Sequence, residues 1–66
     1  MDIIVNGQPH SIQQPSTVAE LLVGMGFAGK PMLVERNAVA LLAREHETTT
    51  LQSGDRLELI LIVAGG

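Results

Sequence analysis

The sequence QSGDRLELILIV, at residues 52–63, contains a turn followed by the longest strand candidate in the chain. The strand is predicted over residues 56–63, and apolar side chains occupy both of its faces, because alternate residues of a strand point to opposite sides. One face carries Leu57, Leu59 and Leu61, and the other carries Glu58, Ile60 and Ile62. A strand that is apolar nearly throughout is typical of a sheet interior, so we expect it at the centre of the sheet.

The first twelve residues predict a β-hairpin. Residues 1–5 form a β-branched apolar run interrupted by Asp2, and Asn6-Gly7 favours a tight turn because both residues tolerate positive φ. The return strand is predicted over residues 8–12. Because Pro9 has no N–H to donate, we expect this strand at a sheet edge.

A Thr-x-x-Glu capping box, made by Thr17 and Glu20, begins a predicted helix of about two turns. Its apolar stripe has the spacing i, i+3, i+4 and i+7 and consists of Val18, Leu21, Leu22 and Met25. The helix is predicted to end around Met25, because two glycines there weaken it and Pro31 prevents its restart nearby.

The remaining segments complete a single α+β domain spanning residues 1–66. Residues 32–36 and the apolar run 38–42 flank a turn at Asn37, and residues 44–50 form a polar connection. We predict a small mixed sheet with one helix packed across one face. If the first and last strands lie parallel at its centre, a right-handed crossover accommodates the helix.

Composition excludes several classes of function. Seven Asp and Glu against four Lys and Arg give a net charge of −3 with no basic cluster, which disfavours nucleic-acid binding. The absence of cysteine excludes a thiol nucleophile and a Cys-ligated zinc. With no signal-peptide pattern and no long apolar run, we predict a cytoplasmic protein without a membrane partner.

Two motifs suggest chemistry that their context disfavours. GMGFAGK, at residues 24–30, satisfies two phosphate-loop patterns, but it follows a predicted helix instead of opening one, and Pro31 stands where a hydroxyl residue is needed for magnesium. We interpret it as the glycine-rich end of the helix. The sequence REHE at residues 44–47 and His10 are interpreted as surface residues, so neither a metal site nor a catalytic residue is predicted.

The last three residues, Ala64, Gly65 and Gly66, have almost no side chain. Because they follow an apolar strand, they would carry the terminal carboxylate about 10 Å beyond the fold. Such a tail can enter a narrow slot in another protein.

The whole chain resembles the ubiquitin-like sulfur carriers, and among them most closely the ThiS family of thiamine biosynthesis. The matching residues, in chain order, are Asn6-Gly7, Thr17-Val18-x-Glu20-Leu21-Leu22, Val34-Glu35-x-Asn37, Leu51-x-x-Gly54-Asp55-x-Leu57-Glu58-Leu59 and Val63-Ala64-Gly65-Gly66. One departure is Leu41-Leu42-Ala43, where the family often shows a Val-Pro-Arg-like stretch. The alternatives are the small sulfur-carrier subunit of molybdopterin synthase and a ubiquitin-like interaction or conjugation module.

This resemblance implies a ubiquitin-like β-grasp fold and a carrier that is not itself an enzyme and binds no cofactor. A ThiF-like adenylating enzyme would consume ATP and magnesium to join the Gly66 carboxylate to AMP. A persulfide sulfur donor would then supply sulfur that displaces AMP, and a ThiG-like thiazole synthase would accept it from the resulting thiocarboxylate. Ala64 and Gly65 are implied as the residues by which partners recognise the tail.

We also predict a partner-docking surface on the sheet face opposite the helix. If Leu57 points into the core, Ile60 and Ile62 point away from it, and Leu33 shares their face on what we take to be the neighbouring strand. The alternative is that the loop at residues 43–50 folds back and covers them.

Overall fold

A computed structural model describes residues 1–63, which form a five-stranded sheet, one α-helix and a short 3-10 helix. The predicted tail at residues 64–66 lies outside the described residues. The strands are β1 (Asp2–Val5), β2 (Gln8–Ser11), β3 (Met32–Arg36), β4 (Val39–Leu41) and β5 (Arg56–Leu61). The α-helix, α1, is Val18–Gly24, and the 3-10 helix is Ala43–Glu45.

The strand order is β2-β1-β5-β3-β4, which places β5 at the centre of the sheet, as predicted. β1 pairs with β5 in parallel, and the other neighbouring strands pair antiparallel. The helix lies in the chain between the β1–β2 hairpin and the β3–β4 hairpin. β5 therefore joins two hairpins that do not pair with each other in the described part of the sheet.

The helix begins as its sequence predicts. The Thr17 hydroxyl accepts a hydrogen bond from the Glu20 N–H at 3.2 Å, and the Glu20 carboxylate accepts one from the Thr17 N–H at 3.0 Å. This reciprocal arrangement satisfies two N–H groups that the first helical turn leaves without partners. Met25 caps the other end, and Gly26 follows with a φ of +84°, a conformation that glycine adopts without a Cβ clash.

The core lies between α1 and one face of the sheet. Its helical members are Val18, Leu21 and Leu22, and its other buried residues are Ile3, Val5, Met32, Val34, Leu51, Leu57 and Leu59. The buried and exposed residues of β5 alternate from Arg56 to Ile60, which confirms that Leu57 and Leu59 point into the core. Leu61 shares their face but is 44% exposed, because it lies at the end of the strand.

Both hairpin turns use two successive residues with positive φ, as a type I′ turn requires. They are Asn6 and Gly7 after β1, with φ of 49° and 80°, and Asn37 and Ala38 after β3, with φ of 51° and 68°. Ala38 is unusual because its Cβ disfavours this region by roughly 1–2 kcal/mol. The predicted edge position of β2 is confirmed, although the strand ends at Ser11, one residue earlier than predicted.

The asparagine of each turn also bonds to β5 through its side chain. Asn6 Oδ1 accepts from the Leu59 N–H at 2.8 Å, and its Nδ2 donates to the Leu59 carbonyl at 3.3 Å. Asn37 Oδ1 accepts from the Arg56 N–H at 2.9 Å. The two side-chain amides thus provide hydrogen-bond partners for backbone groups of β5 beside each turn, and they extend the attachment of β5 to both hairpins.

Several predicted strand boundaries are wrong, including the end of β2 described above. The last strand ends at Leu61 and not at residue 63, and the apolar run 38–42 is a strand only over Val39–Leu41. The polar connection predicted over residues 44–50 contains part of the 3-10 helix Ala43–Glu45.

Within residues 1–63, no helix is long and apolar enough to cross a membrane.

Candidate functional site

The sheet face opposite α1 carries Leu33 and Ile60, which together with Ile62, directly beyond the end of β5, form an exposed aliphatic cluster. Leu33 on β3 is directly opposite Ile60 on β5 in the antiparallel register. The exposed fractions are 37% for Leu33, 46% for Ile60 and 53% for Ile62. The predicted shared face of Leu33 and Ile60 and the exposure of all three residues are therefore confirmed, whereas their docking role stays a prediction.

The loop at residues 43–50 does not cover this cluster. The Val18 N–H donates to the Thr49 carbonyl at 3.0 Å, and the Ala19 N–H donates to the His46 carbonyl at 2.8 Å. The loop is therefore bonded to the start of α1, on the other side of the sheet. The alternative in which it folds back over the aliphatic cluster is wrong, because its backbone groups find their partners at the helix.

Ile62 is held beside the start of β3 although it lies beyond the end of β5. Its N–H donates to the Pro31 carbonyl at 2.9 Å. Val63, the last residue described, is 77% exposed. The aliphatic cluster therefore extends to the point where the chain continues into Ala64, Gly65 and Gly66, the residues predicted to carry the chemistry.

A buried carboxylate fixes the start of β5. Asp55 is 5% exposed and accepts hydrogen bonds from the Gln52 N–H at 2.8 Å, Arg36 Nε at 2.9 Å and Asn37 Nδ2 at 3.0 Å. Burial by itself raises the pKa of Asp55, but the three hydrogen bonds and the positive charge of Arg36 outweigh it and lower the pKa below 3.8. From the sequence, Gly54-Asp55 was predicted as part of a turn and matched to the sulfur carriers, but the hydrogen bonds of Asp55 were not predicted.

The other candidate residues do not assemble into a site. GMGFAGK begins at the last residue of α1 and precedes β3, so its N–H groups do not open a helix as a phosphate loop requires. Among residues 1–63, no three His, Asp or Glu side chains converge as metal ligands. His46 is half-buried near the helix, and its Nε2 atom has no hydrogen-bond partner in this part of the chain.

The family model described as the ThiS family matches residues 3–66, which is nearly the whole chain. The chain belongs to the ThiS family. It is also similar to the crystal structure of a thiamine biosynthesis protein (ThiS) from Geobacter metallireducens, with a TM-score of 0.85, 30% identity and 100% of both chains covered. The mixed sheet with a helix across one face is thus the ubiquitin-like β-grasp fold of the ThiS structures.

Two further proteins align with this ThiS family member over its full length. A thiazole synthase from Magnetococcus marinus is 35% identical over 66 residues, which are 20% of that protein. The uncharacterized protein ycf40 from Porphyra purpurea is 30% identical over 66 residues, which are 93% of that protein. The chain thus spans about a fifth of the length of the thiazole synthase and nearly all of the second relative.

Proposed function

We propose that this chain is the sulfur carrier of thiamine (thiazole) biosynthesis, loaded at the carboxylate of Gly66. The observation that carries the proposal is membership of the ThiS family over residues 3–66, a range that includes Ala64, Gly65 and Gly66. The likeness to the thiamine biosynthesis protein of Geobacter metallireducens over the whole chain supports it.

The chemistry follows from the poor reactivity of a carboxylate. A carboxylate oxygen is a poor leaving group, so a ThiF-like partner joins the Gly66 carboxylate to AMP with release of pyrophosphate. The outer sulfur of a persulfide donor then bonds to the carbonyl carbon as AMP leaves, which gives an acyl disulfide between carrier and donor. An external thiol reduces this disulfide, so that the thiocarboxylate is released and the thiol forms a disulfide with the donor. ATP and magnesium are bound and consumed by the partner, and the carrier contributes its backbone and its carboxyl group.

The small residues of the tail suit this reaction. Gly65 and Gly66 have no Cβ, so a partner can close on their backbone and impose the φ and ψ that its active site requires. Ala64 adds only a methyl group. A slot that admits such a tail excludes most other C-terminal sequences, which gives the partner specificity without a large contact area.

The proposed acceptor of the sulfur is a ThiG-like thiazole synthase. The support is the thiazole synthase from Magnetococcus marinus, one fifth of which is similar to this chain, so that in that protein a carrier-like region and a thiazole synthase share one polypeptide. Docking of both partners is assigned to the aliphatic cluster, which lies directly before the tail.

Intact-mass analysis tests the proposal. Incubation with ATP, magnesium, the ThiF-like enzyme and sulfide should replace one oxygen of the chain by one sulfur. Deleting Gly66, or adding one residue after it, should abolish that mass change without altering the far-ultraviolet circular dichroism. Glu47→Gln, an exposed change in the loop beside α1, is the control that should load normally. Loading of the deleted chain would refute the site.

The acceptor is tested separately. Loaded carrier should donate sulfur in a reaction with thiazole synthase and not with the large subunit of molybdopterin synthase. The reverse preference would favour the alternative sulfur carrier, and a wild-type chain that gains no sulfur would favour an interaction or conjugation module.

A further inference from the structure

Two glutamates lie directly opposite each other on the exposed sheet face. Glu35 on β3 is in register with Glu58 on β5, two residues along from the pair Leu33 and Ile60 on the same face. Side chains at directly opposed positions are about 5 Å apart at their Cβ atoms, and like charges placed so are destabilising. The fold therefore places two like charges opposite each other across β3 and β5.

Within residues 1–63, neither glutamate takes part in an ion pair. The ion pair found within residues 1–63 joins Arg36 to Asp55, on the core side of the sheet. Arg56 shares the outer face with Glu58, yet it lies within ion-pair distance of neither glutamate. The outer face also carries Asp2, so its charged strand residues are three carboxylates and one guanidinium.

We infer that Glu35 and Glu58 together bind an arginine or lysine of the adenylating enzyme, beside the contact made by the aliphatic cluster. The inference rests on the proposed function. A guanidinium can bond two carboxylates at once, and its aliphatic stem can pack on neighbouring apolar side chains. Leu33 and Ile60, adjacent in register, provide that apolar surface.

Charge also disfavours a second copy of this chain as the occupant. A two-fold symmetric contact centred on the Glu35–Glu58 pair would bring that pair against the same pair of the other copy. Four carboxylates would then be desolvated together, and the charged strand residues of this face offer one guanidinium per copy, that of Arg56. The pair thus disfavours self-association through the exposed cluster while it favours a basic partner.

The test is the double variant Glu35→Gln/Glu58→Gln, with Glu47→Gln as a control that removes a charge on the other side of the sheet. At low salt the dissociation constant for the ThiF-like enzyme should rise roughly fivefold or more in the double variant and stay unchanged in the control. At high salt the difference between variant and wild type should disappear. The urea midpoint of the double variant should equal or exceed that of wild type, because a repulsion has been removed.

Three results would overturn the inference. The first is an unchanged dissociation constant in the double variant, and the second is a rise that persists at high salt. The third is a wild-type dimer in sedimentation that Ile60→Asp dissociates, which would make this face a contact between copies. Sulfur loading of the wild-type chain is measured in parallel: its absence refutes the proposed function, whereas normal loading with unchanged affinity of the double variant refutes only the glutamate pair.

Discussion

Replacing Asp55 by alanine should destabilise the fold by about 3 kcal/mol. Its carboxylate accepts three hydrogen bonds, and the side chain is only 7% exposed. The Gln52 N–H and the Asn37 amide would lose a charged acceptor, and such bonds contribute about 1.5 kcal/mol or more each. Arg36 is 29% exposed and can regain water, so its ion pair adds less than about 1 kcal/mol.

Urea unfolding followed by far-ultraviolet circular dichroism is the suitable assay, because the chain has no Trp or Tyr to report by fluorescence. A domain of this size has a free energy of unfolding of roughly 3–10 kcal/mol, so Asp55→Ala should shift the midpoint strongly. Arg36→Met is the matched control, since it removes the ion pair and leaves the other two hydrogen bonds to Asp55. It should cost less than about 1 kcal/mol.

The same carboxylate predicts the acid limit of the fold. Because the pKa of Asp55 is lowered below 3.8 in the folded state, its contribution to stability is complete above that pH and is lost as the pH falls through the folded-state value. The unfolding free energy of Asp55→Ala should therefore depend less on pH below about 4. An Asp55→Ala variant within about 0.5 kcal/mol of wild type, or an equal loss in Arg36→Met, would refute the reasoning.

Three other predictions concern the tail, the cluster and a turn. Gly65→Val should leave the thermal midpoint nearly unchanged and depress adenylation, because a β-branched side chain stiffens and widens the tail; normal adenylation would argue against a narrow slot. Ile60→Asp should weaken binding to the adenylating enzyme by more than about 1 kcal/mol without unfolding the domain. The control Val23→Asp, an exposed change on α1, should leave that binding unchanged. If Ile60→Asp binds as tightly as wild type, Ile60 is not part of the docking surface. Ala38→Gly should raise the unfolding free energy by about 0.5 kcal/mol, because the steric cost of a positive φ at alanine exceeds the entropic cost of a more flexible unfolded chain. A lower urea midpoint would contradict this.

The parts of the fold predicted from the sequence are those with local signals. Alternation predicted which residues of β5 face the core, and the Thr17–Glu20 spacing predicted where α1 begins. The end of β5 was missed because apolarity alone does not end a strand. Met32 pairs with Leu61, and the preceding Pro31 offers a carbonyl but no N–H, so the ladder stops there although Ile62 is apolar.

Contacts between distant segments were not predictable in the same way. Asn6 was identified as a turn residue, but its side chain bonds to a strand 53 residues later in the sequence, and nothing near Asn6 specifies that neighbour. The opposition of Glu35 and Glu58 likewise depends on the register of β3 against β5. For the candidate site, the exposed faces of Ile60 and Leu33 were predictable from periodicity, whereas the position of the loop at residues 43–50 was not, because its polar sequence lacks a period.

The central position of β5 also determines how the molecule resists being pulled. A force applied to the chain beyond Leu61 acts along β5, which is bonded to β1 on one side and to β3 on the other. Shearing a strand loads many of its hydrogen bonds at once, whereas peeling an edge strand breaks them one after another. An unfoldase that pulls on the tail therefore has to shear β5 from both of its neighbours first. Once β5 has separated, no strand joins the two hairpins. Extraction from the tail should accordingly be slow and all-or-none, governed by the unfolding rate.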